Sequence, residues 1–88
     1  MTNNAKAIDQ LCCKYVRICD EIGDDDDARI EMEEKYFSEI QQLLEQLFPA
    51  LTANENENLA DRICESTWDS FYHGPAVIQS LLTEFGLA

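Results

Sequence analysis

The chain has 88 residues, with 18 Asp plus Glu against six Lys plus Arg and a net charge of −12. That length holds one domain, residues 1–88. The charge excludes functions that need a basic surface, namely binding nucleic acid by phosphate neutralisation and docking on an anionic membrane. No apolar run approaches the ~20 residues of a membrane helix, and no signal segment opens the chain, so a cytoplasmic protein is expected. Hydrophobic residues make up 45%, with four Phe, three Tyr and one Trp, which is enough to build a core. A domain of this size buries only about 60–65% of its unfolded surface, which leaves both a monomer and a homodimer open.

The first element is a helix over about 4–22. Ile8, Leu11, Cys12, Tyr15, Ile18, Cys19 and Ile22 recur in steps of three and one, a single helical stripe. Lys6, Asp9, Lys14, Arg17 and Glu21 fall largely on the other side, and Gly23 ends the helix. The run Asp24, Asp25, Asp26, Asp27 supplies N-cap candidates for a second helix over about 26–48, stopped by Pro49. Its apolar face is read as Ile30, Phe37, Ile40, Leu44 and Leu47, widened by Tyr36, Leu43 and Phe48. On the polar face, Lys35 lies four residues from both Glu31 and Glu39, a self-pairing pattern.

A third helix is expected over about 53–72. Thr52-Ala53-Asn54-Glu55 fits a capping box, and Leu59, Ala60, Ile63, Cys64, Thr67, Trp68 and Phe71 follow at helical spacing. Gly74-Pro75 then starts a short fourth helix over about 75–85, with Val77, Ile78, Leu81, Leu82 and Phe85 turned inward. No segment alternates with a strand period. The fold class is all-α, a compact bundle of four helices joined by short loops.

Two acidic features exceed what helix chemistry needs. Glu57, Asp61, Glu65 and Asp69 are spaced by four along the third helix. Each step rises ~6 Å, so the four carboxylates form a column about 18 Å long. Like charges at that spacing oppose the helix, and only Arg62 lies near enough to offset them, by pairing with Glu65. Asp20, Glu21 and Asp24 to Asp27 put six acids into eight residues at the first turn, and capping explains one or two of them. A solvated face that keeps the protein in solution is the plain reading of such charge. The functional reading is a surface shaped to meet a positively charged partner, with rows of carboxylates standing in for phosphates. Trp68, Phe71, Tyr72 and His73 cluster near the end of the third helix. One buried stripe cannot take all three large rings, so Tyr72, beside Asp69, is a candidate anchor.

Catalytic and metal chemistry is not expected. His73 is the single histidine, and the cysteines Cys12, Cys13, Cys19 and Cys64 lack the spaced pairs of a zinc site. They read as reduced thiols that mostly serve as small core residues. The Asp run lacks the central glycine of a calcium loop, and no phosphate loop, dinucleotide fingerprint or nucleophile motif occurs. No enzyme activity, cofactor or metal is expected.

The stretch Ile63-Cys64-Glu65-Ser66 resembles a segment of the small plasmid copy-control helical hairpin that binds RNA. That likeness covers four residues and is opposed by the charge. The size, acidity and four-helix pattern resemble the colicin DNase immunity proteins, which block a basic nuclease. The paired tyrosines before a proline in that family correspond here only to Phe71-Tyr72, with His73-Gly74 before Pro75, so no residue role is carried over.

The function expected is therefore a small acidic inhibitor of the nucleic-acid-mimic type, of which phage anti-CRISPR and anti-restriction proteins are examples. It binds the basic, nucleic-acid-binding surface of a partner protein. The expected contacts are Glu57, Asp61, Glu65, Asp69 and Tyr72, with Asp24, Asp25, Asp26 and Asp27 as a second patch. The alternatives are an immunity protein or antitoxin against a basic toxin, and a non-enzymatic helical adaptor or dimerisation module.

Overall fold

The computed structural model describes residues 2–68 and 74–87. They form α1 (Asn3–Ile22), α2 (Asp26–Leu47), α3 (Ala53–Trp68) and α4 (Pro75–Glu84), with no strand among the described residues. The cap chemistry explains where each helix begins. Thr2 caps α1, its hydroxyl accepting from the Ala5 N–H at 3.2 Å, so α1 starts one residue earlier than its apolar stripe suggests. Gly23 ends α1 at a φ of +66°, a conformation that L side chains rarely adopt, and its N–H reaches the Cys19 carbonyl. Asp25 is the one member of the Asp run that caps α2, accepting from the Ala28 N–H at 3.1 Å. Both halves of the predicted capping box form on α3. The Glu55 N–H donates to Thr52 Oγ1 at 3.1 Å, and the Thr52 N–H donates to Glu55 Oε1 at 3.0 Å. Pro75 opens α4, where its missing N–H costs nothing. The expected extension of the third helix through 69–72 lies outside the described residues.

Each helix packs on its sequence neighbours and α1 also packs on α4, which closes a four-membered ring. Neighbours run antiparallel. Lys14 meets Glu39 across α1 and α2, while Ala7 and Gln46 share a depression further along. Across α1 and α4, Thr2 meets Gln79, while Asp9 lies beside Gly74. The radius of gyration is 12.7 Å, close to the ~12 Å of a compact chain of this length.

The core is lined by Ala5, Ile8, Cys12 and Tyr15 from α1, by Met32, Tyr36, Ile40 and Leu44 from α2, by Leu59, Ala60 and Ile63 from α3, and by Ile78, Leu81 and Leu82 from α4. For α1, α3 and α4 these residues lie on the stripes their spacing predicts, except that Val77, expected inward on α4, is half-buried and not part of the core. On α2 the expected face is corrected. Ile30 is 57% exposed and Phe37 only half-buried, while Met32 and Tyr36 are buried. Residues two apart lie about 200° around a helix, so a face centred on the row Met32-Tyr36-Ile40-Leu44 turns Ile30 away.

Tyr36 is the reason for that rotation. Its ring stacks on Tyr15 of α1, with centroids 4.6 Å apart, and meets Trp68 of α3 edge-on at 5.4 Å. Its buried hydroxyl donates to Cys12 Sγ at 3.0 Å and shares a 2.9 Å hydrogen bond with Thr67 Oγ1. Thr67 Oγ1 has one proton, within reach of both the phenol oxygen and the Ile63 carbonyl, the latter also at 2.9 Å. One side chain thus joins three helices and satisfies every polar atom it brings into the core. Burial, reinforced by Cys12, pushes its phenol far above the ordinary tyrosine range.

Removing only the hydroxyl, in Tyr36→Phe, takes away its contacts to Cys12 Sγ and Thr67 Oγ1, leaves Thr67 only the Ile63 carbonyl, and is expected to cost about 1–2 kcal/mol in urea denaturation. The corrected α2 face has its own check. Met32→Ala should cost about 2–5 kcal/mol, whereas Ile30→Ser should shift stability by no more than about 0.5 kcal/mol.

Candidate partner-binding surface

All four of Asp24, Asp25, Asp26 and Asp27 are exposed, as are Asp20 and Glu21 just before them. Asp25 serves as the cap, and Asp26 and Asp27 occupy the first turn of α2, where the helix dipole favours them. On α3, Glu57, Asp61 and Glu65 are exposed, and the periodicity of one continuous helix places them on one face. Asp69 and Tyr72 lie outside the described residues, as do Phe71 and His73.

Arg62 is placed differently from the expectation. It does not serve the column by pairing with Glu65. Its guanidinium turns to α4 and grips Glu84 with two hydrogen bonds, at 3.2 Å and 2.9 Å. The two-point geometry suits a planar guanidinium and a carboxylate, and it ties α3 to α4. The expected Lys35 pairing is also replaced. Glu39 pairs with Lys14 of α1 at 3.8 Å, and Lys35 makes no ion pair among the described residues. Two of the six cations are thus committed to helix-to-helix contacts, and Arg62, the single cation of α3, is one of them. Sequence spacing within one helix cannot reveal pairs of this kind, because the partners are brought together only by packing.

Acidity also reaches the seam between α2 and α3. Burial pushes the half-buried Cys64 thiol up to about 12, with Cys12, Asp61 of α3 and Glu33 of α2 acting in the same direction. Glu33 of α2 therefore lies close enough to the seam to act on the same thiol as Asp61, a proximity its position on α2 did not signal. Hydrogen bonding to Thr52, chiefly from its backbone N–H, holds the Glu55 carboxyl below its usual range, which commits that acid to the cap.

At the turn joining α2 to α3 there is a depression of about 430 Å³. Ser38, Gln41, Gln42 and Glu45 form its α2 side, Phe48, Pro49 and Leu51 its apolar end, and Thr52, Ala53 and Asn56 its α3 side. The Asn56 amide nitrogen donates to the Gln41 carbonyl at 3.1 Å, while its Oδ1 is buried and meets no protein donor. A second, more open depression of about 450 Å³ lies between α1 and α2, around the Lys14–Glu39 pair.

None of the four cysteines is in a disulfide. Among the described residues, no three of His, Cys, Asp and Glu gather in a way that could hold a metal ion, and no helix is long and apolar enough to cross a membrane. No protein-family model, curated protein or solved structure matches this chain.

The thiols give a direct check on this geometry. Cys12 is fully buried, and Cys64 has almost no thiolate at pH 8. Iodoacetamide at that pH should therefore leave both unmodified in the folded protein and alkylate both after denaturation, as read by peptide mass spectrometry.

Proposed function

We propose that this chain is a small cytoplasmic inhibitor that binds the basic, nucleic-acid-binding surface of a partner protein and blocks it by bulk and charge. The observation that carries this reading is the uncompensated acidic face of α3. Glu57, Asp61 and Glu65 all reach solvent, while Arg62 is drawn off to Glu84. Carboxylates repeating every ~6 Å along a rigid helix present a regular row of negative charge, as a nucleic-acid backbone does. A groove evolved to grip phosphates is attracted by the same pattern, and long-range attraction between opposite fields speeds the encounter.

The Asp24–Asp27 turn adds a second negative patch at a helix start. The protein has no need of a catalytic centre in this role. Its requirements are a rigid scaffold, which the Tyr36 contacts provide, and an outward-facing charge pattern. The four thiols fit the reducing cytoplasm, where they remain as packing groups.

The test is retention of partners from a native-host lysate by the tagged protein at low and high salt, with the wild type beside a Glu57→Gln, Asp61→Asn, Glu65→Gln triple variant. The wild type should hold a basic nucleic-acid-binding protein that elutes as salt rises. The triple variant should lose that partner while keeping or slightly gaining thermal stability, because it removes like-charge neighbours. Equal retention by both proteins, or a partner indifferent to salt, would overturn the inhibitor reading in favour of an adaptor.

A further inference from the structure

We infer that the seam between α2 and α3 is a docking groove for an amphipathic basic helix of a partner protein, whose apolar stripe lies on Ile30 and Phe37 and whose lysines or arginines meet the carboxylates on either bank. The inference deepens the proposed function, since it rests on a basic partner and names the kind of segment that partner presents.

The first observation is an apolar row that faces α3 and reaches solvent. Ile30, Glu33, Phe37 and Gln41 follow one another along α2 in steps of three and four, which is one row on a helix. Two contacts turn that row toward α3. The Gln41 carbonyl accepts from the Asn56 amide at 3.1 Å, and Glu33 lies near enough to Cys64 to act on its thiol. Phe37 sits between them and is half-buried. Ile30 continues the row one turn toward the start of α2, and it is the only large hydrophobic side chain among the described residues that is exposed. Across the seam, Cys64 and Trp68 lie one turn apart on α3, both half-buried, and Trp68 is fixed edge-on to the Tyr36 ring. An exposed isoleucine alone is ordinary surface. Its alignment with three partly open apolar neighbours is what makes a patch.

The second observation is the charge on the banks. On α2, Glu33 and Glu34 are exposed, and Glu34 stands four residues from Ile30 and three from Phe37. On α3, Asp61 and Glu57 are exposed, with Asp61 three residues from Cys64 and Glu57 one turn further on. The cations of these helices lie mostly elsewhere. Arg62 is held by Glu84, Lys35 lies about 140° around α2 from Ile30, and Arg29 stands at the α2 end of the groove. A second copy of this chain would bring the same carboxylates to the groove, and like charges oppose that pairing. A helix with cationic flanks is attracted by both banks at once.

The third observation is spacing. Ile30 and Phe37 are seven residues apart, about 10 Å along the axis. That distance is two turns, the repeat of an apolar stripe on a facing helix. A helix laid along the seam therefore sets its stripe on both side chains and its flanks over the acids. An apolar centre with a charged rim is the arrangement in which a few anchors dominate binding.

The probe is a capped synthetic peptide of about 18 residues, long enough to form a helix, made of leucine, lysine and alanine with leucine at i, i+3, i+4 and i+7. One control scrambles the leucine spacing at the same composition, and a second replaces lysine by glutamine. Each is titrated into the isotopically labelled protein and followed by amide chemical shifts. The patterned basic peptide should give saturable shifts centred on Ile30, Phe37 and Cys64, and its binding should weaken as salt rises. Both controls should bind at least about tenfold more weakly. Ile30→Ser, at an exposed position that leaves the fold intact, should weaken the patterned peptide about tenfold. The Glu33→Gln, Glu34→Gln double variant should weaken it severalfold and flatten its salt dependence. Equal binding by either control, shifts that spread over Asp24–Asp27 without centring on the seam, or unchanged affinity in Ile30→Ser would overturn the proposal. So would a concentration-dependent dimer of the free protein that Ile30→Ser dissolves, because the groove would then belong to a second copy. Ile30→Ser leaves the α3 column untouched, which separates the two readings in the lysate capture. Saturable peptide binding in the seam with no basic protein captured would sink the inhibitor reading alone. A salt-sensitive partner held equally by the wild type and Ile30→Ser would sink this inference alone.

Discussion

The Tyr36 hydroxyl lies where water does not reach it, and a buried hydroxyl has to be met by protein groups or the fold loses the free energy of its desolvation. Cys12 from α1 and Thr67 from α3 meet it, and the ring is held at the same time by Tyr15 and Trp68. These contacts allow only one rotation of α2 about its own axis. Met32, Ile40 and Leu44 follow Tyr36 inward along the same row, and Ile30 is carried out to solvent. Cys12 and Thr67 lie on the inward stripes of α1 and α3, and the acidic face of α3 is turned outward from that central contact.

Every ionisable acid of the described helices lies outside that core, whose buried members are apolar but for Thr67 and the phenols. Excluding charge from the interior leaves the surface crowded with carboxylates that repel one another. Two of the six cations answer this across helix boundaries. Lys14 joins α1 to α2 and Arg62 joins α3 to α4, each at exposed positions where a pair contributes only about 0.2–1 kcal/mol. Their larger consequence is distribution. A cation committed to a neighbouring helix leaves its own helix face more negative than a count of charges along the sequence suggests. The α3 face is the outcome, and a partner with a basic groove would find there a pattern that costs the protein a little stability.

The turn between α2 and α3 shows the same economy on a smaller scale. The capping box consumes Glu55 and Thr52 in starting α3, and one amide proton of Asn56 fastens the new helix to the Gln41 carbonyl of the old one. The remaining Asn56 oxygen is buried and meets no protein donor. Local structure is complete, yet one buried polar atom of the turn is left without a protein partner.

The sequence by itself determined the number of helices and, within a residue at the ends the structure describes, where they start and stop. Caps, Gly23, Pro49, Pro75 and the capping box act through neighbours a few residues away, so their effect is local and readable. It also determined which stripes of α1, α3 and α4 turn inward, because their apolar residues leave one choice. The exposure of the Asp24–Asp27 turn and of Glu57, Asp61 and Glu65 was equally legible from charge and period. Only the tertiary structure decided the rotation of α2, where aromatic and aliphatic residues surround much of the helix and Tyr36, not Ile30, finds partners for both ring and hydroxyl. Only the tertiary structure turned Arg62 toward Glu84, drew Glu39 to Lys14 and brought Glu33 to bear on Cys64 beside Asp61. The same holds for Asn56, whose unmatched oxygen exists because its nitrogen met a carbonyl fifteen residues away. These outcomes depend on which surfaces touch when four helices close into a ring, and spacing within one helix carries no record of that.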